Sequence, residues 1–471
     1  MTLGNNETTP MLPRRQSSNH WNKLKHKTML LRTLLVLGIL AGLVVGIAAL
    51  QYGHPGAPPP PFNDNDDWHQ ALDALAQDAK GCVDSLTRVP GEQYINRQNR
   101  LFDTMQQEGV FAYVMEPSAT LLYYTNLTWS RTERPFLVVF TDDRQMTIIT
   151  PAFEATRAKE QWIKANLPTA INPSMVEWVE HGSAFDTVRN VLGSHNSQSQ
   201  AIQIEPTTRY FIAEGIRTSV DHSVHVASLT LQQLRMVKTQ EELAIMRCAN
   251  QITARAIGTV QHHGIHIGMS EQTIEQRMTE ALHRVGLTET WVVALVDANA
   301  AFPHGQPGKP HDVTPSSLVL IDTGGQLYDY QSDTTRTFFI DPAAVNHTIK
   351  AAWRTVHNAQ QAVLDNIKKG DSCAHVDLTA RNLISDAGWG DAFTHRLGHG
   401  IGLEMHEEPY MNQGNTKCFL KPGFTFSVEP GIYVPGEFGI RLEDIVVVNE
   451  HGSLDLLTDG LAVDPWTSSS S

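Results

Sequence analysis

Two stretches of this 471-residue chain, one hundred and two residues apart, share one layout, so the chain must fold at least partly as two matched halves. The first reads Gly268-Met269-Ser270, an apolar-periodic run, then Gly286. The second reads Gly370-Asp371-Ser372, a similar run, then Gly388, with the same eighteen-residue interval. Each leads into a short apolar strand ending in an acid, LVLIDTG (Leu318 to Gly324) and FTFSVEPG (Phe424 to Gly431). A second acid follows in each half, Asp333 eleven residues after Asp322 and Glu443 fourteen after Glu429. Each half also carries a histidine upstream of its acids, His304 and His406. Acids at matched positions of a duplicated fold predict a two-cation site between the halves.

The helices of the repeat are legible from capping and period. Thr239 opens a Thr-x-x-Glu capping box with Glu242, and Leu243, Met246, Ala249, Ile252, Ala256 and Val260 recur at three and four, predicting a helix over 240–260. A second helix is predicted over 271–284, capped by Ser270 and stopped by Gly286, and the pair recurs at 348–369 and 374–386. Upstream, strand-like runs at 111–115, 135–140, 145–150 and 201–205 alternate with helical stretches, the pattern of a mixed α/β layer. The fold class expected is therefore α+β, with a pseudo-two-fold catalytic domain over 233–465. An α/β domain over 92–232 precedes it.

Thr33 to Leu50 is uncharged and, as a helix, spans roughly 27 Å, close to a bilayer's apolar thickness. Arg14, Arg15, Lys23, Lys25, Lys27 and Arg32 precede it, opposed only by Glu7, and Asp64, Asp66 and Asp67 follow it. The positive-inside rule then gives a cytoplasmic tail over 1–28, a membrane anchor over 29–52 and a lumenal or extracellular body. A cleaved secretion signal is the rival, and the long tail before the run favours a retained anchor. Gly53 to Pro61 (GHPGAPPPP) reads as a spacer within a linker over 53–91, although Trp68 to about Leu86 has helical spacing. For an exported body, Asn126-Leu127-Thr128 and Asn346-His347-Thr348 become glycosylation candidates. The four cysteines contain no C-x-x-C, and spacing leaves disulfides and buried thiols equally open. A formal charge of -14 argues against nucleic acid as a partner, which needs a basic face.

An ionised acid at the end of a buried strand is costly without a cation or donors. Asp322, Asp333, Glu429 and Glu443 together carry four negative charges, with only Arg336 and Arg441 near them in sequence. Divalent ions neutralise such a cluster better than two arginines. The segment HRLGHGIGLEMHEEP (His395 to Pro409) adds His399 and, seven residues on, His406, in a glycine frame that lets backbone approach a site.

The ordered motifs FPHG, IDTGG, SDTTRTF, GHGIGLEMHEEP, SVEPGIYVPG and GIRLEDIV resemble the pita-bread metallopeptidases, in their prolidase and aminopeptidase P branch. The match is dense from about Met236 to Asp464, and residues before it resemble the creatinase-type N-terminal domain. The resemblance implies two divalent ions per subunit bound by Asp322, Asp333, His399, Glu429 and Glu443, with manganese heading the candidates and cobalt or zinc also suited. It further implies a proton shuttle at Glu429, oxyanion stabilisation at His406, and substrate positioning by His304 and His395. Arg441 would orient acids or substrate, while Arg336 reads equally as a salt-bridge partner. The implied substrates are small peptides with proline at the second position, and relatives commonly form homodimers. No arginine lies between His406 and Glu429 to clamp a product carboxylate, which favours peptides longer than two residues. Two rival functions stand beside this one: a metal-dependent hydrolase or lyase acting on a non-peptide substrate, and a non-catalytic binding ectodomain.

Overall fold

A computed structural model describes residues 66–195, 201–305 and 311–466. The expected cytoplasmic tail, membrane anchor and GHPGAPPPP spacer lie outside these residues. Among the described residues no helix is long and apolar enough to cross a membrane.

The first layer is a six-stranded sheet of β1 (Val110–Met115), β2 (Leu137–Thr141), β3 (Met146–Pro151), β4 (Ser174–Trp178), β5 (Ala201–Ile204) and β6 (Ser223–Val226). Its order is β4-β3-β2-β1-β5-β6. The β1–β2 and β2–β3 pairs are antiparallel, and the others parallel. All of β1 (VFAYVM) is buried, because helices cover both faces. Tyr113 and Met115 pack with Leu101 and Met105 of the Gly91–Glu108 helix, while Phe111 and Val114 pack with Val188 and Leu192 of the Ala184–Gly193 helix. A doubly covered strand needs an unbroken apolar run, and this one has it.

The second layer carries the repeat. Its first half holds β7 (Thr288–Val296), β8 (Leu318–Leu327), β9 (Tyr330–Gln331) and β10 (Thr334–Phe339), ordered β10-β8-β7 with β9 on β8. The second holds β11 (Gly398–Gly400), β12 (Glu407–Met411), β13 (Thr425–Val428), β14 (Gly431–Val434), β15 (Phe438–Arg441), β16 (Asp444–Val448) and β17 (Leu454–Leu456). Five of these form a sheet ordered β12-β11-β13-β16-β17, and β14 pairs with β15. The helix pairs are Gln240–Thr259 with Glu271–Arg284, and His347–Asn366 with Cys373–Asp386. The third helix stops at Asn366, three residues before its expected end, because Ile367 is already extended.

The sequence repeat is a backbone repeat. Gly268, Gly286, Gly370 and Gly388 adopt φ of 88°, 88°, 88° and 86°, left-handed values that favour glycine. Ser270 Oγ accepts from Thr273 N at 3.3 Å and Ser372 Oγ from His375 N at 3.1 Å, capping equivalent helices. The expected capping box also forms, with Thr239 N donating to Glu242 Oε2 at 2.9 Å. Alternation along the strands then sorts side chains between two cores. Val319, Ile321, Ile445 and Val447 join the first half's helices, while Leu318, Leu320, Val446 and Val448 join the second half's.

Two expectations need correction. The 53–91 segment contains more than a linker: the Asp66–Asp84 helix buries Trp68, Leu72, Leu75 and Ala79 in the first half's core. Cys82 of that helix pairs with Cys248, and Cys373 pairs with Cys418, with Cα–Cα separations of 5.9 Å and 5.5 Å that suit disulfides. The second correction concerns Asn126. It caps a helix, accepts from the Tyr94 hydroxyl at 3.1 Å and donates Nδ2 to Ala165 O at 2.8 Å, so its amide is committed inside the fold.

Candidate metal centre

Asp322 lies in the middle of β8, not at its end, and pairs across the sheet with Thr335 of β10. Alternation puts its carboxylate on the same face as Leu318 and Leu320, toward the second half. Asp333 arrives through a close backbone pass. A Cβ on Gly324 would sit 1.9 Å from Ser332 O, so only glycine lets the chain fold back and bring Asp333 beside Asp322. The second half repeats the device, since a Cβ on Gly398 would sit 1.9 Å from Ser427 O, next to His399 and Glu429. Glu443 is the second of the two residues between β15 and β16, and its N–H donates to Thr335 O at 3.0 Å, tying the two halves together.

These residues converge. Ligand atoms of Asp322, Asp333 and Glu443 lie within 4.8 Å of one another, as do those of His399, Glu429 and Glu443, and those of Asp333, His399 and His406. Glu443 belongs to two of the groups and Asp333 to two. His399 Nδ1 faces Gly400 O at 3.1 Å, which assigns the proton to Nδ1 and leaves the Nε2 lone pair exposed to acids. That lone pair lies 3.6 Å from Asp333 Oδ2 and 3.4 Å from Glu429 Oε1. Burial and the adjacent His406 push the His399 imidazole down to about 3, so it is neutral and able to ligate.

The acids are mutually frustrated. Burial, then the charges of Glu443, Asp322 and Glu429, drive Asp333 well above the carboxylate range. Burial, then Glu429 and Asp322, do the same to Glu443, and Glu429 is pushed up to about 7, chiefly by burial. Asp322 Oδ1, Asp333 Oδ1 and Glu443 Oε1 are buried with no hydrogen-bond partner. Orphaned carboxylate oxygens beside a neutral imidazole lone pair are the donor set of a cation, and the residues fit divalent metal.

Arg441 is the cation the fold does supply. Its Nη2 donates to Asp322 Oδ2 at 2.5 Å and to Pro303 O at 3.2 Å, its Nη1 to the Tyr433 hydroxyl at 2.9 Å, and its Nε to Thr335 Oγ1 at 3.1 Å. Tyr433 in turn meets His395 Nε2 at 2.8 Å, and His395 Nδ1 faces Arg396 O at 2.6 Å, which fixes that ring's tautomer as well. His304 is exposed in the FPHG turn, close enough for its charge to lower His395 and His406. His406 stands edge-on to His399, with ring centroids 4.1 Å apart. Arg336 pairs with Asp444 at 2.7 Å, the salt-bridge reading, and donates to the Glu443 backbone carbonyl at 2.6 Å.

Sequence reasoning missed three contributors. Thr335 Oγ1 donates to Glu443 Oε2 at 2.7 Å while accepting from Arg441, and its place in SDTTRTF gave no hint of this beyond its neighbours. Asn250 Oδ1 receives the Asp333 N–H at 3.2 Å from a helix 83 residues upstream. Arg396 stacks on the Tyr410 ring at 4.3 Å, and its charge bears on His399, His406 and Glu429.

Residues 244–450 match metallopeptidase family M24, and residues 97–237 match the creatinase/prolidase N-terminal domain. An uncharacterised peptidase of Schizosaccharomyces pombe is 34% identical over 403 residues, covering 82% of this chain and 85% of that protein. This chain belongs to metallopeptidase family M24. Among other relatives of the M24 peptidase, a Xaa-Pro dipeptidase of Lactobacillus delbrueckii subsp. lactis is 30% identical over 363 residues, covering 75% of this chain and 94% of its own. The crystal structure of dipeptidase PepE from Mycobacterium ulcerans superposes with a TM-score of 0.72 at 28% identity, covering 79% of this chain and 98% of that one. The M24 peptidase is an enzyme, and its fold is the pita-bread domain preceded by a creatinase-type domain.

Proposed function

We propose that this M24 peptidase hydrolyses the bond between an N-terminal residue and a following proline, with two divalent ions held by Asp322, Asp333, His399, Glu429 and Glu443. The observation that carries the reading is that Asp322, Asp333 and Glu443, each with a buried and unpartnered carboxylate oxygen, form one group of potential ligands that overlaps those of His399 through Asp333 and Glu443. Manganese is the metal we favour for this mixed carboxylate and imidazole set. A bound divalent pair supplies neutralisation of the acids and a more acidic attacking water.

The chain's own groups do the rest. Glu429, pushed up to about 7, is placed to take the water's proton and deliver it to the leaving proline nitrogen. His406 faces the site from its exposed edge and suits stabilisation of the developing oxyanion. His304 and His395 border the same space, and Arg441 holds Asp322 in place while it orients Tyr433. The products are a free amino acid and a proline, or a peptide beginning with one. Arg396, which stacks on Tyr410 at 4.3 Å, is our candidate for the carboxylate clamp that sequence spacing left missing, and dipeptides are the substrates we favour. The names of the dipeptidase relatives support the same choice.

The test compares Leu-Pro, Leu-Pro-Gly and Leu-Gly on the full chain reconstituted with manganese, cobalt or zinc. Leu-Pro should be cleaved fastest, and Leu-Gly at least about tenfold more slowly. Glu429→Gln should keep bound metal and lose roughly 10²–10⁴-fold in kcat. Equal cleavage of Leu-Gly would end the proline assignment, and fewer than one ion per chain would end the two-ion assignment.

The same reading places the body across a membrane from a cytoplasmic N-terminus. Pairing of all four cysteines supports an oxidising compartment, and the basic flank before Thr33 to Leu50 supports a retained anchor. A homodimer belongs to this proposal too, and light scattering of the purified protein decides it.

A further inference from the structure

Between the six-stranded layer and the catalytic layer lies a cavity of about 240 Å³ that includes His406 in its wall. It therefore opens beside the metal cluster rather than on a remote surface. Its acidic lining is unusual. Glu404 and Glu407 are consumed by Arg235, at 2.7 and 2.9 Å, and Glu407 also by Lys238 at 2.6 Å. Glu205 and Glu408 line the same space, and neither Arg235 nor Lys238 pairs with them as they do with Glu404 and Glu407. Glu205 is 4% exposed, and its Oε2 is buried without any hydrogen-bond partner. Burial holds its carboxyl above the usual range even though the Ser118 and Thr120 hydroxyls favour the charged form. The rest of the lining mixes apolar and aromatic groups, Tyr113, Tyr124 and Leu231 among them, with polar ones such as Thr120 and Gln232 and with Arg235, whose charge Glu404 and Glu407 already meet. Arg396 stacks on Tyr410 rather than lining the cavity itself.

A buried carboxylate oxygen without a donor, in a cavity that also holds aromatic and aliphatic walls and borders a reaction centre, suits an alkyl stem that ends in a cation. We propose that this cavity is a specificity subsite for a lysine or arginine side chain on the residue preceding proline, with Glu205 receiving the cationic end. The methylenes would pack against Tyr113, Tyr124 and Leu231, and the charge would meet Glu205 with Glu408 nearby. The proposal rests on the Xaa-Pro reading for its substrates but not for its binding chemistry.

The test measures kcat/KM for Lys-Pro and norleucyl-Pro, which differ by the ammonium group, in wild type, Glu205→Gln and Glu205→Asp. Wild type should favour Lys-Pro by about tenfold, the scale of one charge-assisted hydrogen bond. In Glu205→Gln the ratio should fall below about twofold, chiefly through KM for Lys-Pro, and Glu205→Asp should retain part of the preference. A parallel calorimetric titration of the metal-loaded protein with lysinamide and norleucinamide reads the same preference without turnover. If neither dipeptide is cleaved while lysinamide still binds more tightly through Glu205, the subsite stands and the Xaa-Pro reading falls. Equal losses for both ligands in Glu205→Gln, which would assign Glu205 to the α-amine or to folding alone, overturn the proposal, as does a wild type with no lysine preference.

Discussion

Thr335→Val is the substitution that most directly tests how the two halves are joined at the metal centre. Valine keeps the volume and β-branching of threonine but removes the hydroxyl that donates to Glu443 Oε2 at 2.7 Å and accepts from Arg441 Nε at 3.1 Å. Arg441 is charged, Glu443 is charged once a cation offsets its neighbours, and a buried bond to a charged group contributes about 1.5–3 kcal/mol. Glu443 Oε1 already has no partner, so the variant leaves both oxygens of that carboxylate unsupported. Glu443 belongs to two of the three ligand groups, so the loss should weaken metal binding by roughly 10–100-fold, about 1.4–2.8 kcal/mol. Calorimetric titration of the chelator-treated protein with manganese measures this directly, and kcat at saturating metal should largely recover. An unchanged dissociation constant would refute the inference that Thr335 holds Glu443 in its ligating position. A large fall in kcat at saturating metal, with affinity intact, would move Thr335 from scaffold to reaction.

Further outcomes follow from the same structure. Arg97 and Glu242 are each 1% exposed and pair at 3.1 Å across the two layers, so Arg97→Met should lower stability by about 3–5 kcal/mol in denaturant unfolding, and a change below about 1 kcal/mol would show that Tyr330 alone satisfies Glu242. Glu205 holds its proton more tightly in the native state than in the unfolded chain, so it imposes no penalty below its ordinary value of 4.5 and an increasing one as pH rises through the raised native value. Glu205→Gln should accordingly gain melting temperature relative to wild type between acid and neutral pH, and a gain confined to acid pH would contradict the sign. In cells that glycosylate exported proteins, Asn346→Gln should remove a glycan and Asn126→Gln should not. Asn346 is exposed with only its Oδ1 engaged, at 3.0 Å from Ile349 N, whereas the Asn126 amide is bonded inside the fold.

Much of the molecule could be read without coordinates where the determinant is local. The four repeat glycines mark left-handed turns, Ser270, Ser372 and Thr239 cap their helices, and apolar period finds the helices those caps begin. Strand bounds were less legible. β7 (TETWVVALV) shows no clean alternation because its burial changes along its length, and β8 runs five residues past Asp322 because β9 and β7 extend its pairing. The Asp66–Asp84 helix had the right period, but only its packing on the Gln240–Thr259 helix and the Cys82–Cys248 bond show that it belongs to the catalytic core.

The sequence by itself determined the duplicated frame, the residues able to ligate a cation and their order along the chain, since these depend on residue type and short-range spacing. Tertiary structure alone decided what those acids meet. Arg441 rather than Arg336 joins the cluster, because β15 ends at the site while Arg336 is drawn to Asp444 beneath it. Thr335, Asn250 and Arg396 enter from positions that no spacing rule connects. The cavity at Glu205 exists only where the two layers meet. Partnering of a buried charge is set by distance in space, and neighbours along a chain constrain that distance only within an element or a tight turn.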